Sequence, residues 1–410
     1  MCVPPPSGRA NLRSMGNAAK ILISARAVRA FGDGFTVLLL PAYLNALGFG
    51  PAKVGVLTAA TLLGSAVMTL GVSQLAHRLD VRRTLLAACV LMLATGLAFS
   101  QLRQFWPLAL VGFLGTLNPS GGDVSLFLPL EQAMLAQVSP IDQRTAVFGR
   151  YGLAAGLASA AGALSTGLIE PLRATIGASL PTVIQGAFVI YGLIGIAAAA
   201  LYVNLPKPAP VDTPPQPLGP SRRRVYALAA LFSLDSFGGG FFAQSLIALW
   251  LFARFDLSIG AAGAFFFWTG LLTAVSQLAS APVARRFGLI NTMVFTHIPA
   301  NLCAAAAAFA PNLGVVLALF TVRSLLQSMD VPARTSYVMA VVTPPERPAA
   351  VGLTNVPRSL AAAASPAMAG MLYAGSAFAW PLVIGGALKI VYDLMLLAMF
   401  RRVKPPEEQG

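Results

Sequence analysis

Apolar runs of about 20 residues, long enough to cross roughly 30 Å of hydrocarbon, recur along this chain between short polar or Gly/Pro-rich breaks. Twelve can be marked out. The first half holds 21–47, 54–76, 84–101, 105–136, 146–169 and 181–205; the second holds 225–252, 259–284, 289–310, 313–342, 349–373 and 378–400. Most are apolar all round, without the single stripe of a soluble amphipathic helix, so the pattern predicts an all-α membrane protein of twelve transmembrane helices. An even number of crossings puts both termini on one side. The longest polar interval reads NLPKPAPVDTPPQPLGPSRRR from Asn204 to Arg224. Its prolines stop a helix, and its Lys207, Arg222, Arg223 and Arg224 resist transfer into hydrocarbon. The predicted organisation is a tail at 1–20, a six-helix bundle at 21–205, a linker at 206–224, a second bundle at 225–400 and a tail at 401–410. A cleaved signal peptide does not fit the first run, which contains Arg26, Arg29 and Asp33.

Composition agrees: 57% of the 410 residues are hydrophobic and only 10% charged, too apolar for a soluble surface. The net charge of +14 sits in short clusters between the apolar runs. A nucleic-acid reader gathers its basic residues on one solvated face, so the excess reports topology and no nucleic-acid partner is expected. Arg82, Arg83, Arg222, Arg223, Arg224, Arg285, Arg286, Arg401 and Arg402 all fall on the side of the termini, whereas the opposite connections carry Lys53, Arg103, Arg173 and Arg254. The asymmetry predicts cytoplasmic termini and linker. Compact loops favour a bacterial plasma membrane. Cys2, Cys89 and Cys303 lack metal-ligand or disulfide spacing, and the only histidines are His77 and His297. With no H-E-x-x-H, no phosphate-cradling Gly loop and no room for an external catalytic domain, no enzyme, metal or cofactor is expected.

The halves resemble one another at an offset of about 200 residues. Asp33 matches Asp235; Ala76 to Asp80 matches Ala284 to Gly288; Asp123-Val124 matches Asp330-Val331; and Arg144 to Gly149 matches Arg347 to Gly352. Four matches in one order predict two pseudo-symmetric bundles, and parallel six-span repeats place a substrate site between them near mid-membrane.

The loop after the second run, Ser73-Gln-Leu-Ala-His-Arg-Leu-Asp-Val-Arg-Arg83, looks like the G-x-L-x-D-R-x-G-R-R motif of the major facilitator superfamily. Ser73 stands for the first Gly, His77 for Asp, Asp80 for the second Gly and Val81 for an Arg. With the twelve runs, the linker and the repeat, the chain resembles that superfamily over essentially its full length. The resemblance implies a monomeric secondary active transporter in the bilayer, nearer the drug-efflux-like branches than the sugar porters. It also implies that spans 1, 4, 7 and 10 line a central cavity. In the family the motif loop latches the cytoplasmic ends of the halves when the protein faces outward. Here it implies a gate of Arg78 with Asp123 and Arg286 with Asp330, unless these basic residues serve topology alone. The Gly-Pro-x-x-Gly-type motif of some antiporters has no proline in span 5, whose glycines 152, 156, 162 and 167 then serve close helix packing.

Ionisable residues at mid-bilayer are costly and mark functional positions unless paired. Asp33 and Asp235 fall near mid-depth of spans 1 and 7 and are candidates for proton or substrate handling. Arg29 lies one turn before Asp33, so a permanent i, i+4 ion pair is the structural alternative. Asp235 has no basic residue at helical spacing and needs a partner elsewhere or a proton. Arg323 and Arg358 either neutralise these carboxylates or hold an anionic substrate. Arg334, Glu131 and Glu346 are expected at the gate or surface, and Lys389–Asp393 as an i, i+4 pair in a peripheral span. Asn118-Pro-Ser-Gly-Gly122 can interrupt span 4 and expose its backbone to a cavity, with Asn118 and Ser120 as lining candidates, or can merely kink the helix. Phe265, Phe266, Phe267 and Trp268 read as lipid-facing or packing residues. The resulting expectation is proton-coupled export of a small organic solute. The alternatives are carriage of an organic anion or phosphorylated metabolite, and a non-transporting receptor or scaffold.

Overall fold

A computed structural model describes residues 8–75, 80–121, 125–139, 144–206, 219, 221–342 and 346–401. Arg78, Asp123, most of the linker and the tail at 402–410 lie outside these residues. The first half contains α1 (Gly8–Ala46), α2 (Pro51–Leu75), α3 (Val81–Gln101), α4 (Phe105–Leu114), α5 (Phe127–Val138), α6 (Arg144–Ser165), α7 (Ile169–Ile176) and α8 (Leu180–Tyr202). The second contains α9 (Arg222–Gly240), α10 (Gln244–Phe255), α11 (Ile259–Phe287), α12 (Leu289–Ala307), α13 (Leu313–Leu326), α14 (Asp330–Val341), α15 (Arg347–Gly375) and α16 (Trp380–Phe400).

These sixteen helices make twelve crossings. Ten stretches are long and apolar enough to span by composition alone. The other two are α4 with α5, broken in the middle, and α15, diluted by polar residues such as Thr354, Asn355 and Arg358. Asp80, which stands where the motif loop has a glycine, caps α3: its carboxylate accepts the amides of Arg82 at 2.9 Å and Arg83 at 3.2 Å. The departure from the family pattern thus starts a helix.

Besides span 5, where α6 runs on into α7 through a 3-10 turn at Thr166–Leu168, three crossings are interrupted among the described residues. Span 4 breaks between Leu114 and Phe127, where Gly121 takes φ +69°. Span 7 breaks at Phe241–Ala243, directly after Gly238, Gly239 and Gly240. Span 10 breaks between Leu326 and Asp330. The first two breaks meet across the halves: the amides of Gln244 and Ser245 donate to the carbonyls of Ser120 at 3.4 Å and Pro119 at 3.2 Å. Each break leaves backbone groups without helical partners, and the other supplies some of them.

The predicted repeat is visible in the packing. α1 lies on α6 and α8, α3 on α8 and α2 on α4; correspondingly α9 lies on α15 and α16, α12 on α16 and α11 on α13. The halves meet along α2 with α15, α6 with α11, and α1 with α10. Gly55 and Gly370 touch backbone to backbone, and a Cβ on either would fall 2.7 Å from the other's Cα. Thr58 Oγ1 lies 3.3 Å from Ser245 Oγ, and Thr166 Oγ1 donates to the Ile259 carbonyl at 3.3 Å. All these contacts lie toward the side away from the termini.

The apolar core divides the same way. On the far side one cluster joins Leu40, Tyr43 and Leu57 to Phe241, Leu246 and Ala369, and another joins Val37, Leu38 and Ala163 to Trp250 and Phe266. Toward the termini the clusters separate by half: Leu22, Leu85, Met134 and Tyr202 in one, Val225, Phe232, Tyr337 and Leu396 in the other. The bundles are therefore sealed together on the far side and packed separately on the terminus side.

Candidate functional site

A cavity of about 270 Å³ lies between the halves. The first half supplies Ser120 and Gly121 from the span 4 break. The second half supplies most of the wall: Asp235, Gly239, Phe242 and Gln244 from span 7, Phe265, Phe266 and Thr269 from α11, and His297 from α12. Phe320, Arg323, Gln327, Asp330 and Arg334 come from span 10, Arg358 from α15 and Lys389 from α16.

Charge is concentrated on this wall. Asp235 Oδ1 receives the Lys389 ammonium at 2.5 Å, and its Oδ2 receives Arg334 Nη1 at 3.3 Å. Arg334 also holds Asp330, one turn before it, at 3.3 Å. His297 turns Nδ1 to Asp393 at 2.9 Å and Nε2 toward Asp235 Oδ1 at 3.8 Å. Arg358 Nε donates to Ser236 Oγ at 2.9 Å. Five elements thus converge on one carboxylate neighbourhood, and multiple partners are what make buried charge tolerable. Arg323 stands apart. It is 8% exposed, its Nε has no hydrogen-bond partner among the described residues, and its guanidinium carbon lies 4.6 Å from the Phe242 ring centroid.

The first half has a charge network of a different kind. Arg29 donates to Glu131, and through Nε to the Tyr202 hydroxyl at 3.2 Å. Glu131 also accepts from Tyr151 at 2.6 Å and from Tyr202. Arg29 lies 3.8 Å over the Phe127 ring. Glu131 is fully buried, Arg29 is 2% exposed, and neither lines the cavity.

Several sequence expectations change here. The partner of Arg29 is Glu131, not Asp33, and Glu131 is an internal residue, not a gate or surface group. Lys389 and Asp393 do not pair with each other: they reach Asp235 and His297, so span 12 contributes to the cavity. Asp330 pairs with Arg334 while Arg286 rests 5.5 Å over Phe287, so no Arg286–Asp330 link forms in this conformation. Arg334 is inside the cluster. Ser120 reaches the cavity, whereas Asn118 is buried beside it and accepts the Ser120 hydroxyl at 2.7 Å. Asp33 is half-buried and outside the cavity lining. Phe265 and Phe266 line the cavity, and Trp268 is exposed. Asp235, Arg323 and Arg358 are brought together around one space. His297 is the residue that sequence reasoning missed; its signal was a lone imidazole inside an otherwise apolar span.

Twelve crossings in two like bundles, sealed on one side of a charged central cavity, define a transporter fold. The chain belongs to the major facilitator superfamily, whose family model matches residues 22–322 and again 228–410. It is 25% identical over 419 aligned positions to the uncharacterised membrane protein YJR124C of Saccharomyces cerevisiae, with 93% of each covered. Among solved structures it is similar to the nucleoside transporter NupG (TM-score 0.72, 14% identity, covering 94% of this chain and 99% of that one). A bacterial homologue of the human lysosomal transporter Spinster, inward-facing and unoccupied, superposes with TM-score 0.71 at 15% identity, covering 94% and 96%. The inward-open xylose transporter XylE of E. coli gives 0.70 at 13%, covering 92% and 95%. At these identities the structural likeness establishes the fold.

Proposed function

We propose that this protein is a proton-coupled secondary transporter that moves a small organic solute by alternating access, exporting it as protons enter. The observation that carries this reading is that Asp235, Lys389 and His297, the last held by Asp393, line a cavity between the two bundles. Sealed far-side contacts and separate terminus-side cores support a state open toward the termini. Proton entry is assigned to Asp235 and His297. A proton on His297 Nε2 gives the ring a second N–H, aimed at Asp235, while Nδ1 stays with Asp393. Protonated His297 then competes with Lys389 and Arg334 for Asp235. The groups facing the ring are Asp393 and Tyr392 on α16, Asp235 on α9 and Lys389 beside it. Loosening Lys389 from Asp235 would free α16 relative to α9, which is how protonation would change the relative stability of two gated states.

The test is purified protein in liposomes with an imposed pH gradient. Solute accumulation is expected to follow the gradient, and Asp235→Asn and His297→Gln are expected to abolish gradient-driven accumulation while sparing exchange. Accumulation that ignores the gradient would remove proton coupling. Plasma-membrane residence with cytoplasmic termini is part of the same proposal. A cysteine at Asn45, an exposed position on the far side, should be labelled from outside intact cells, and labelling from within would invert the orientation.

A further inference from the structure

We propose that the cavity binds an organic anion with a flat apolar body, an aromatic carboxylate being the simplest example, and that Arg323 grips its carboxylate. The inference rests on the transport reading and names the substrate class for the same cavity. Four basic side chains line the space, Arg323, Arg334, Arg358 and Lys389, against two acidic ones, Asp235 and Asp330. Lys389 and Arg334 are matched by Asp235 and Asp330, and Arg358 is tied to Ser236. Arg323 has no hydrogen bond or ion pair among the described residues, although it is more than nine-tenths buried.

A buried guanidinium without a counter-charge is expensive, and such a group is retained where a ligand supplies the missing partner. Its surroundings select the rest of that ligand. Phe242 and Phe320 hold the guanidinium at 4.6 and 5.9 Å from their centroids, fixing the direction of its fork. Phe265 meets Phe320 edge-on at 6.4 Å and Phe266 at 5.3 Å, so the wall next to the charge is aromatic. Gln244 and Gln327 line the same space and offer amide N–H groups. At about 270 Å³ the cavity lies just below the usual range of drug-sized ligand pockets, with room for one fused-ring carboxylate. A cation would meet Arg323 head-on. A neutral sugar would leave Arg323 without a counter-charge.

The experiment uses three probes of one shape, 2-naphthoate, 2-naphthylmethanol and 2-naphthylmethylammonium, titrated into the full-length protein in nanodiscs. Acetate serves as the charge without the body. 2-Naphthoate is expected to bind at least about 10-fold tighter than each of the others. Arg323→Gln is expected to weaken it by about 10- to 100-fold, the range of a charge-assisted hydrogen bond, and Arg323→Lys to weaken it less. Because Arg323 is unpaired in the empty protein, Arg323→Gln should melt at or above the wild-type temperature. A structural arginine would behave in the opposite way. Equal binding of the ammonium or the alcohol, undiminished naphthoate binding in Arg323→Gln, or no naphthoate binding to the wild type at millimolar concentration would overturn the assignment. Flux in liposomes separates this from the transport reading. Naphthoate bound but never carried upholds the anion site and removes transport, whereas naphthylmethylammonium carried without naphthoate binding overturns the anion site and leaves transport standing.

Discussion

Replacing Glu131 by Gln changes one atom type in a deeply buried charge network, and its cost follows from that enclosure. Glu131 is fully buried and Arg29 is 2% exposed, so solvent cannot take over the role of the lost charge. The carboxylate accepts from three donors, Arg29, Tyr151 and Tyr202. A glutamine keeps one acceptor oxygen but turns an NH₂ toward donors, leaving the guanidinium uncompensated and at least one tyrosine hydroxyl without its acceptor. Breaking a buried ion pair from one side costs about 3–5 kcal/mol. For a bundle of about 200 residues unfolding as a unit, that corresponds to a fall of about 6–20 °C in melting temperature. The measurement is the monodisperse fraction remaining after stepwise heating in detergent. Arg29→Met combined with Glu131→Leu removes both charges but leaves the Tyr151 and Tyr202 hydroxyls without their acceptor, so it should recover the part of the loss due to the stranded guanidinium and melt above Glu131→Gln. The double variant should also retain transport, because neither residue lines the cavity. A Glu131→Gln protein melting within 2–4 °C of wild type, about 1 kcal/mol, would refute the reasoning, as would a double variant no more stable than the single one.

Other consequences can be measured in the same preparations. Lys389→Met leaves Asp235 with Arg334 as its remaining strong partner and should lower stability by about 1–3 kcal/mol, with Asp235→Asn in the same chain recovering most of it; thermal melts decide this. Gly370→Val places side-chain atoms against the Gly55 backbone and should prevent far-side closure. A cysteine at the sealed Ser245 would then become labelled from that side, and unchanged protection would contradict the packing argument. Asp80→Ala removes the cap of α3 and should cost about 1 kcal/mol without altering solute affinity, a separation that binding and melting curves together can test.

The span pattern was legible because it needs only local information: run length, apolar density and prolines. The span 4 break was legible for the same reason, since Pro119 and the neighbouring small residues write their effect into the backbone, whereas no local signal was read at the span 10 break after Leu326. The repeat was legible as matched residues and reappears as matched helix pairs. Charge pairing was not legible. The i, i+4 rule offered Arg29 with Asp33 and Lys389 with Asp393, but the folded chain chose Glu131, 102 residues from Arg29, and Asp235, 154 residues from Lys389. A single contact along one helix satisfies one edge of a guanidinium or carboxylate, and the remaining edges would face hydrocarbon. Partners on several packed helices satisfy all the edges, and local spacing carries no record of which helices will pack. The candidates Asp235, Arg323 and Arg358 were findable because each is charged at mid-depth. His297 and Glu131 needed the three-dimensional arrangement.

The seal between Gly55 and Gly370 has a mechanical consequence. Interdigitated side chains must unmesh, changing rotamers one after another, before two helices can part. Two glycine backbones have no teeth. Close approach gives α2 and α15 many weak dispersion contacts, yet separation asks no side chain at those positions to turn. A surface of this kind holds by proximity and releases by simple withdrawal, as two smooth plates do, so at this seam the far-side door opens without waiting on a side chain.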